Sequence, residues 1–181
     1  MFSKQKMKTI SLEEMLANQD KFIAEAKAGK IFVYPTDTIY GIGSIYTPEN
    51  VEKIFSIKKR DQQKMFSIIA PNFARIQKEF SHADIPLLQK HLETYHGVTY
   101  IFNYGIPGIR IIKHPFQNFV EALGEPFITT SCNISGEPIV TNIQELPKEI
   151  ADHVDYIIDG GILGGKPSVL IDLVADKIIE R

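Results

Sequence analysis

Residues 31–60, IFVYPTDTIYGIGSIYTPENVEKIFSIKKR, restrict the possible folds of this chain more than any other stretch. Residues 31–34 are apolar or aromatic and suit a buried strand, which Pro35 stops because it has no N–H to give to a ladder. Thr36, Asp37 and Thr38 follow at once, and Gly41 and Gly43 then allow a close approach of the backbone to something else. Thr47, Pro48 and Glu49 read as N-cap, first helical residue and acidic first turn of a helix that runs to Lys58-Lys59-Arg60. A strand, a hydroxyl-rich turn and a helix ending in cations are therefore contiguous.

The remaining pattern is that of an α/β domain with a mixed sheet. Ser11-Leu12-Glu13-Glu14 has the form of a capping box, and the helical stretch it opens ends at Gly29. Residues 65–70, MFSIIA, read as a strand beside the first, so that strand, helix and strand make the crossover of a parallel pair. Residues 72–96 hold two amphipathic helices, with Phe73, Ile76 and Phe80 on one face and Leu87, Leu88 and Leu92 on the next. Strands at 98–102 and 109–112 flank the short Gly105-Ile106-Pro107-Gly108 turn, which implies antiparallel pairing. A helix at 116–123 and a turn at 124–126 precede a strand at 127–130, which runs into Ser131-Cys132-Asn133-Ile134-Ser135-Gly136. A polar helix at 146–153, a strand at 156–158, a glycine-rich loop at 160–167 and a strand at 168–173 complete the pattern.

With 181 residues, 44% of them apolar, the chain can build one domain with its own core, and neither a repeat nor a linker divides residues 1–181. A net charge of −2 provides no global field toward nucleic acid or an anionic membrane, so any basic site must be local. The single Cys132 excludes a disulfide framework, and no apolar run is long enough to cross a bilayer. The N-terminal lysines are followed by neither an apolar stretch nor a small-residue cleavage site, so the expected location is the cytoplasm.

Several residues could carry chemistry. Lys58 and Arg60, at a helix end, either complement the helix dipole in water or neutralise a polyphosphate or carboxylate near Thr36 and Thr38, and spacing alone does not choose. Ser131 and Asn133, at a strand exit, either satisfy a turn or join Thr129, Thr130 and Ser135 in lining an anion pocket. Cys132 reads as a small buried filler, because nothing beside it would activate a thiol. Residues 160–166, GGILGGK, satisfy the spacing of a phosphate-binding loop, but Pro167 stands where Ser or Thr should hold magnesium, and a strand follows where a helix is needed. Those glycines instead permit a tight loop that presents Ser168. His82, His91, His96, His114 and His153 have no metal-ligand spacing, so no metal is expected on protein side chains. Arg110, alone in the apolar run GIRII, either faces solvent or is paired in a site.

Five ordered motifs, YPTDTIYGIG, Lys58-x-Arg60, GIRIIKHP, TTSCNISGEP and GGKPSVLID, resemble the YrdC family of threonylcarbamoyl-AMP synthases in its short, single-domain form, over nearly the whole chain. The resemblance implies an open, twisted, mixed parallel and antiparallel sheet with flanking helices and a concave site. It implies a nucleotidyltransferase that joins L-threonine, bicarbonate and ATP, the last with Mg2+, into threonylcarbamoyl-adenylate and pyrophosphate. A partner transferase complex would pass the group to tRNA, to which weak binding is also expected. By this resemblance Thr36, Thr38, Arg110, Ser131 and Ser168 hold threonine. Lys58, Arg60, Lys64, Asn133, Thr141 and Arg181 face ATP, and Lys58, Arg60, Ser131 and Asn133 form the catalytic group. The chain departs from the usual family pattern at Lys59, Cys132, Val169 and His96-Gly97. Two other functions remain open at this point: carbamoyl transfer to another acceptor, as in hydrogenase-maturation factors that contain this fold, and RNA binding without catalysis.

Overall fold

In the computed structural model, which describes residues 8–59, 66–79, 85–95, 97–102 and 107–179, the chain opens with strand β1 (Lys8–Ser11). Ser11 caps the helix that follows, its hydroxyl accepting from Glu14 N at 3.0 Å. The single helix expected up to Gly29 is broken at Asn18 into α1 (Leu12–Ala17) and α2 (Gln19–Lys27), because Asn18 leaves helical geometry with φ −118° and ψ 37°.

Strand β2 (Phe32–Tyr34) forms where the apolar run placed it and is buried on both sides. Side chains alternate across a strand, so Phe32 and Tyr34 enter one apolar cluster with Met15, Phe22, Phe116 and Phe119, while Val33 enters another with Ile54 and Ile150. Residues 41–43, whose glycines are read from the sequence as allowing a close backbone approach and which it does not identify as a strand, form β3 (Gly41–Gly43), antiparallel to β2. A Cβ on Gly43 would lie 1.8 Å from the Ile128 carbonyl oxygen, so only glycine lets this strand approach its other neighbour. Helix α3 (Pro48–Lys58) begins as its sequence indicates, with Thr47 Oγ1 accepting from Asn50 N at 3.3 Å.

The elements after α3 are β4 (Ser67–Ile69), α4 (Phe73–Glu79), α5 (Ile85–Thr94), β5 (Val98–Ile101), β6 (Gly108–Arg110), α6 (Phe116–Leu123) and β7 (Phe127–Ser131). They are followed by α7 (Lys148–Ala151), β8 (Tyr156–Asp159), β9 (Val169–Asp172) and β10 (Lys177–Ile179). The described strands form one mixed sheet in the order β1-β8-β2-β3-β7-β4-β6-β5-β9-β10. The antiparallel pairing of β5 with β6 agrees with the short turn between them, part of which lies outside the described residues.

The crossover expected from β2 through α3 to β4 does not exist. β3 and β7 lie between β2 and β4, and three successive antiparallel pairings make β2 and β4 run in opposite directions. An apolar run identifies a buried strand but carries no information about its neighbours, and the unrecognised strand β3 takes the edge of β2 that β4 was expected to use.

Alternation along β4 and β7 also creates the site. Ile69 and Phe127 belong to the cluster covered by α6, and Ser67 and Thr129, two residues away on the same strands, are on the same face. From Ile69 and Phe127 to Ser67 and Thr129 the face turns from apolar to polar.

Candidate active site

A hollow of about 490 Å³ opens over this polar face. Thr36 reaches it from the turn after β2, Ser67 from β4, Thr99 from β5, Arg110 from β6, Thr129 and Ser131 from β7, and Ser168 from the end of the glycine-rich loop. Its lining is rich in hydroxyls and carries one charged residue among the described ones, Arg110.

The turn after β2 directs its hydroxyls by local hydrogen bonding. Thr36 Oγ1 donates to Ile39 O at 2.7 Å, so in the 2.9 Å contact between Thr36 and Thr38 the proton comes from Thr38. Arg110 Nη2 donates to Thr38 Oγ1 at 3.3 Å and to Asp37 Oδ1 at 2.7 Å. The direction of donation thus runs from Arg110 through Thr38 and Thr36 to a carbonyl; Thr36 Oγ1 also accepts from Thr38 N at 3.2 Å and is fully engaged, whereas Thr38 Oγ1 keeps a lone pair. Burial pulls the Arg110 guanidinium below its usual range and Asp37 opposes that pull, so the side chain keeps its charge at neutral pH.

Ser131 is set in the same way. Its hydroxyl donates to Asn133 Oδ1 at 2.7 Å, and Asn133 Nδ2 donates to Glu137 O at 2.6 Å. Lys58, 1% exposed, extends from the end of α3 beneath this turn. Its ammonium donates to Ser131 O, to Asn133 O at 2.6 Å and to Asn133 Oδ1 at 3.2 Å. Cys132, between those residues, is fully buried; burial pushes its thiol up to about 12, against a smaller lowering by Lys58, so no thiolate exists near neutrality. On the opposite wall, the Thr99 and Ser168 hydroxyls share a 2.9 Å hydrogen bond.

A family model named Sua5, YciO and YrdC and described as telomere recombination matches residues 25–181. The chain belongs to the Sua5/YciO/YrdC family. It is 35% identical over 164 residues to a putative threonylcarbamoyl-AMP synthase of Methanocaldococcus jannaschii, an alignment covering 84% of this chain and 78% of the relative. It is 26% identical to the threonylcarbamoyl-AMP synthase of Pseudoalteromonas translucida, with coverage of 84% and 91%. The fold matches that of Sua5 from P. abyssi in complex with L-threonine, with a TM-score of 0.76 and 23% identity. That match covers 97% of this chain but only 56% of the Sua5 chain, so this chain spans little more than half of that protein.

Against the YrdC-family expectation, the structure brings Thr36, Arg110, Ser131 and Ser168 to one lining, with Thr38 bonded directly behind them. Lys58 and Asn133 are a layer deeper, beneath Ser131. Thr141 lies behind the glycine-rich loop, where its carbonyl accepts from Leu163 N at 3.0 Å, and it is not part of the lining. Arg60, Lys64 and Arg181 lie outside the described residues. Residues 160–167 form a loop leading into β9, not a helix, which removes the phosphate-binding-loop alternative. Asp37, Ser67 and Thr99 were not singled out in the sequence. Asp37 stood between two more conspicuous hydroxyls, and Ser67 and Thr99 become visible only once their strands are seen to share an uncovered face. Among the described residues no helix is long and apolar enough to cross a membrane, and no cluster of His, Cys, Asp or Glu could hold a metal ion.

Proposed function

We propose that this chain is an L-threonylcarbamoyladenylate synthase, a nucleotidyltransferase that forms threonylcarbamoyl-AMP and pyrophosphate from L-threonine, bicarbonate and ATP for tRNA modification. One observation carries the reading: Thr36, Arg110, Ser131 and Ser168, from distant parts of the sequence, line a single hydroxyl-rich hollow whose one cation among the described residues is Arg110. A small zwitterion with a hydroxyl fits such a lining. Its carboxylate pairs with Arg110, and its amine and hydroxyl donate to oxygens that have already given up their own protons. The names of the two relatives and the L-threonine held by the P. abyssi Sua5 point the same way.

No protein nucleophile is required. The threonine ammonium loses a proton, and the free amine attacks the carbon of bicarbonate; with loss of a second proton from nitrogen and of hydroxide from carbon, together water, this gives a carbamate, whose oxygen then attacks the α-phosphorus of ATP as pyrophosphate leaves. The chain's own contribution is positioning. Arg110 and the hydroxyls seat the amino acid, and Lys58 holds the 131–133 turn so that Ser131 faces the reacting end. The triphosphate brings more negative charge than Arg110 can balance. Arg60, Lys64 and magnesium arriving on ATP are assigned to that task, and Arg181 to the nucleotide. A tRNA-modifying threonylcarbamoyl transferase complex is the proposed recipient of the product.

The experiment is pyrophosphate release from ATP, with threonine and bicarbonate each omitted in turn. Release is expected only with both present, and release indifferent to either omission rejects the synthase reading.

A further inference from the structure

Asp37 does not line the hollow and has no part in the chemistry above, yet it is the carboxylate closest to the site's one described cation. Its side chain is 9% exposed and that of Arg110 is 8% exposed. Each carboxylate oxygen has its own partner: Oδ1 accepts from Arg110 Nη2 at 2.7 Å, and Oδ2 accepts from the Lys113 backbone N–H at 3.2 Å. The second contact ties Asp37 to the segment immediately after β6, the strand that carries Arg110. Asp37 thus grips both the head of the arginine and the backbone near its root.

These contacts fix the guanidinium at Nη2. The two Nη2 hydrogens go to Asp37 and Thr38, whereas Nε, fully buried, has no hydrogen-bond partner among the described residues. A buried donor without an acceptor is unfavourable, and proteins keep few of them. In a purely structural ion pair the fork would be expected to turn and satisfy Nε. Here the carboxylate holds Nη2 and prevents that turn, in a residue that lines the cavity.

We propose that Asp37 is a positioning residue that locks the Arg110 guanidinium in the orientation in which it meets the carboxylate of the amino-acid substrate. The identity of that ligand rests on the synthase reading, and the locking of Arg110 does not. Charge balance fits the same role, because Asp37 offsets the buried cation before substrate arrives and keeps it protonated and in place.

The test uses the full chain with Asp37→Asn, which keeps the shape and one acceptor, and Asp37→Glu, which keeps the carboxylate on a longer stem. Two-dimensional 15N NMR of arginine Nε–H groups, assigned with Arg110→Lys, reads the lock directly. A distinct Arg110 signal is expected in the parent, shifted by threonine, lost or exchange-broadened in Asp37→Asn and partly restored in Asp37→Glu. In steady-state assays Asp37→Asn is expected to raise KM for threonine by about tenfold while KM for ATP changes less than about twofold. An Arg110 signal unchanged by Asp37→Asn overturns the positioning role, whatever the substrate. A parent protein that shows the lock but releases no threonine-dependent pyrophosphate rejects the synthase reading and leaves the lock established. If Asp37→Asn does not fold, as shown by thermal unfolding, Asp37→Glu decides: parental signals and KM values there, with the carboxylate displaced by one methylene, overturn the proposal.

Discussion

The ammonium of Lys58 lies 2.6 Å from the carbonyl oxygen of Asn133, joining the last turn of a helix to a turn far along the chain. Two further acceptors, Ser131 O and Asn133 Oδ1, belong to the same turn. One buried cation therefore gathers three oxygens that would otherwise repel one another, and the Ser131 hydroxyl is aimed as a result.

Lys58→Met, which keeps the stem and removes the charge, should therefore lower stability by about 1–3 kcal/mol, because buried acceptors lose their donor. Turnover should fall with it, by about tenfold or more, as Ser131 and Asn133 lose their alignment. Chemical denaturation and pyrophosphate release measured on the same preparations check both. Lost activity at unchanged stability would mean that the ammonium acts on substrate and not on the turn.

The Thr99–Ser168 hydroxyl pair gives a milder test. Thr99→Val preserves shape and removes the partner of Ser168 Oγ at a buried position on the cavity wall. KM for threonine should rise by roughly three- to tenfold, equivalent to a hydrogen bond of about 1 kcal/mol, and stability should fall by about 1 kcal/mol because Ser168 Oγ loses its buried partner. Separate titrations of threonine and ATP are the measurement, and equal changes in both constants would argue against a threonine-side role.

The sequence revealed the parts whose signals are local. Pro35 ends β2, Thr47 and Pro48 open α3, and the short link between β5 and β6 is antiparallel, each from residues adjacent in the chain. Non-local facts were not visible. Gly41-Ile42-Gly43 has the composition of a turn and becomes a strand because β2 and β7 flank it at distances only glycine allows. Lys58 has the position of a solvated helix-end lysine, and it is buried because a turn 73 to 75 residues away supplies carbonyls. The pairing of Asp37 with Arg110 likewise spans 73 residues and leaves no mark in either segment. Motif resemblance reached four of the lining residues, since a motif preserves the outcome of long-range packing that periodicity cannot express.

Cys132 sets a pH dependence. Its folded value, pushed up to about 12 mainly by burial, lies above the ordinary thiol value near 9 of the unfolded chain. The folded state then holds its proton more tightly than the unfolded state. The contribution to stability is full below about pH 9 and is lost as pH rises toward 12. Thermal unfolding between pH 8 and 11 should accordingly fall less steeply for Cys132→Ala than for the parent. In the folded parent at pH 8, a thiol reagent should react at a small fraction of its rate with the denatured chain, and fast labelling of the native protein would contradict the buried, protonated state.

Gly97 links backbone conformation to the substrate hollow. It has φ +61°, in the left-handed region, and a Cβ there would lie 2.6 Å from Thr38 Cγ2. Alanine at this position carries a backbone cost of about 1–2 kcal/mol and also pushes on Thr38. Thr38 cannot yield without disturbing the donation that runs from Arg110 through Thr38 to Thr36. Gly97→Ala should thus lower the melting temperature and raise KM for threonine several-fold, whereas Gly124→Ala, also at positive φ but with open space around its Cβ, should lower the melting temperature alone. The difference between the two variants separates strain in the backbone from pressure on the site, and equal KM values in both would show that Thr38 absorbs the contact without moving Arg110.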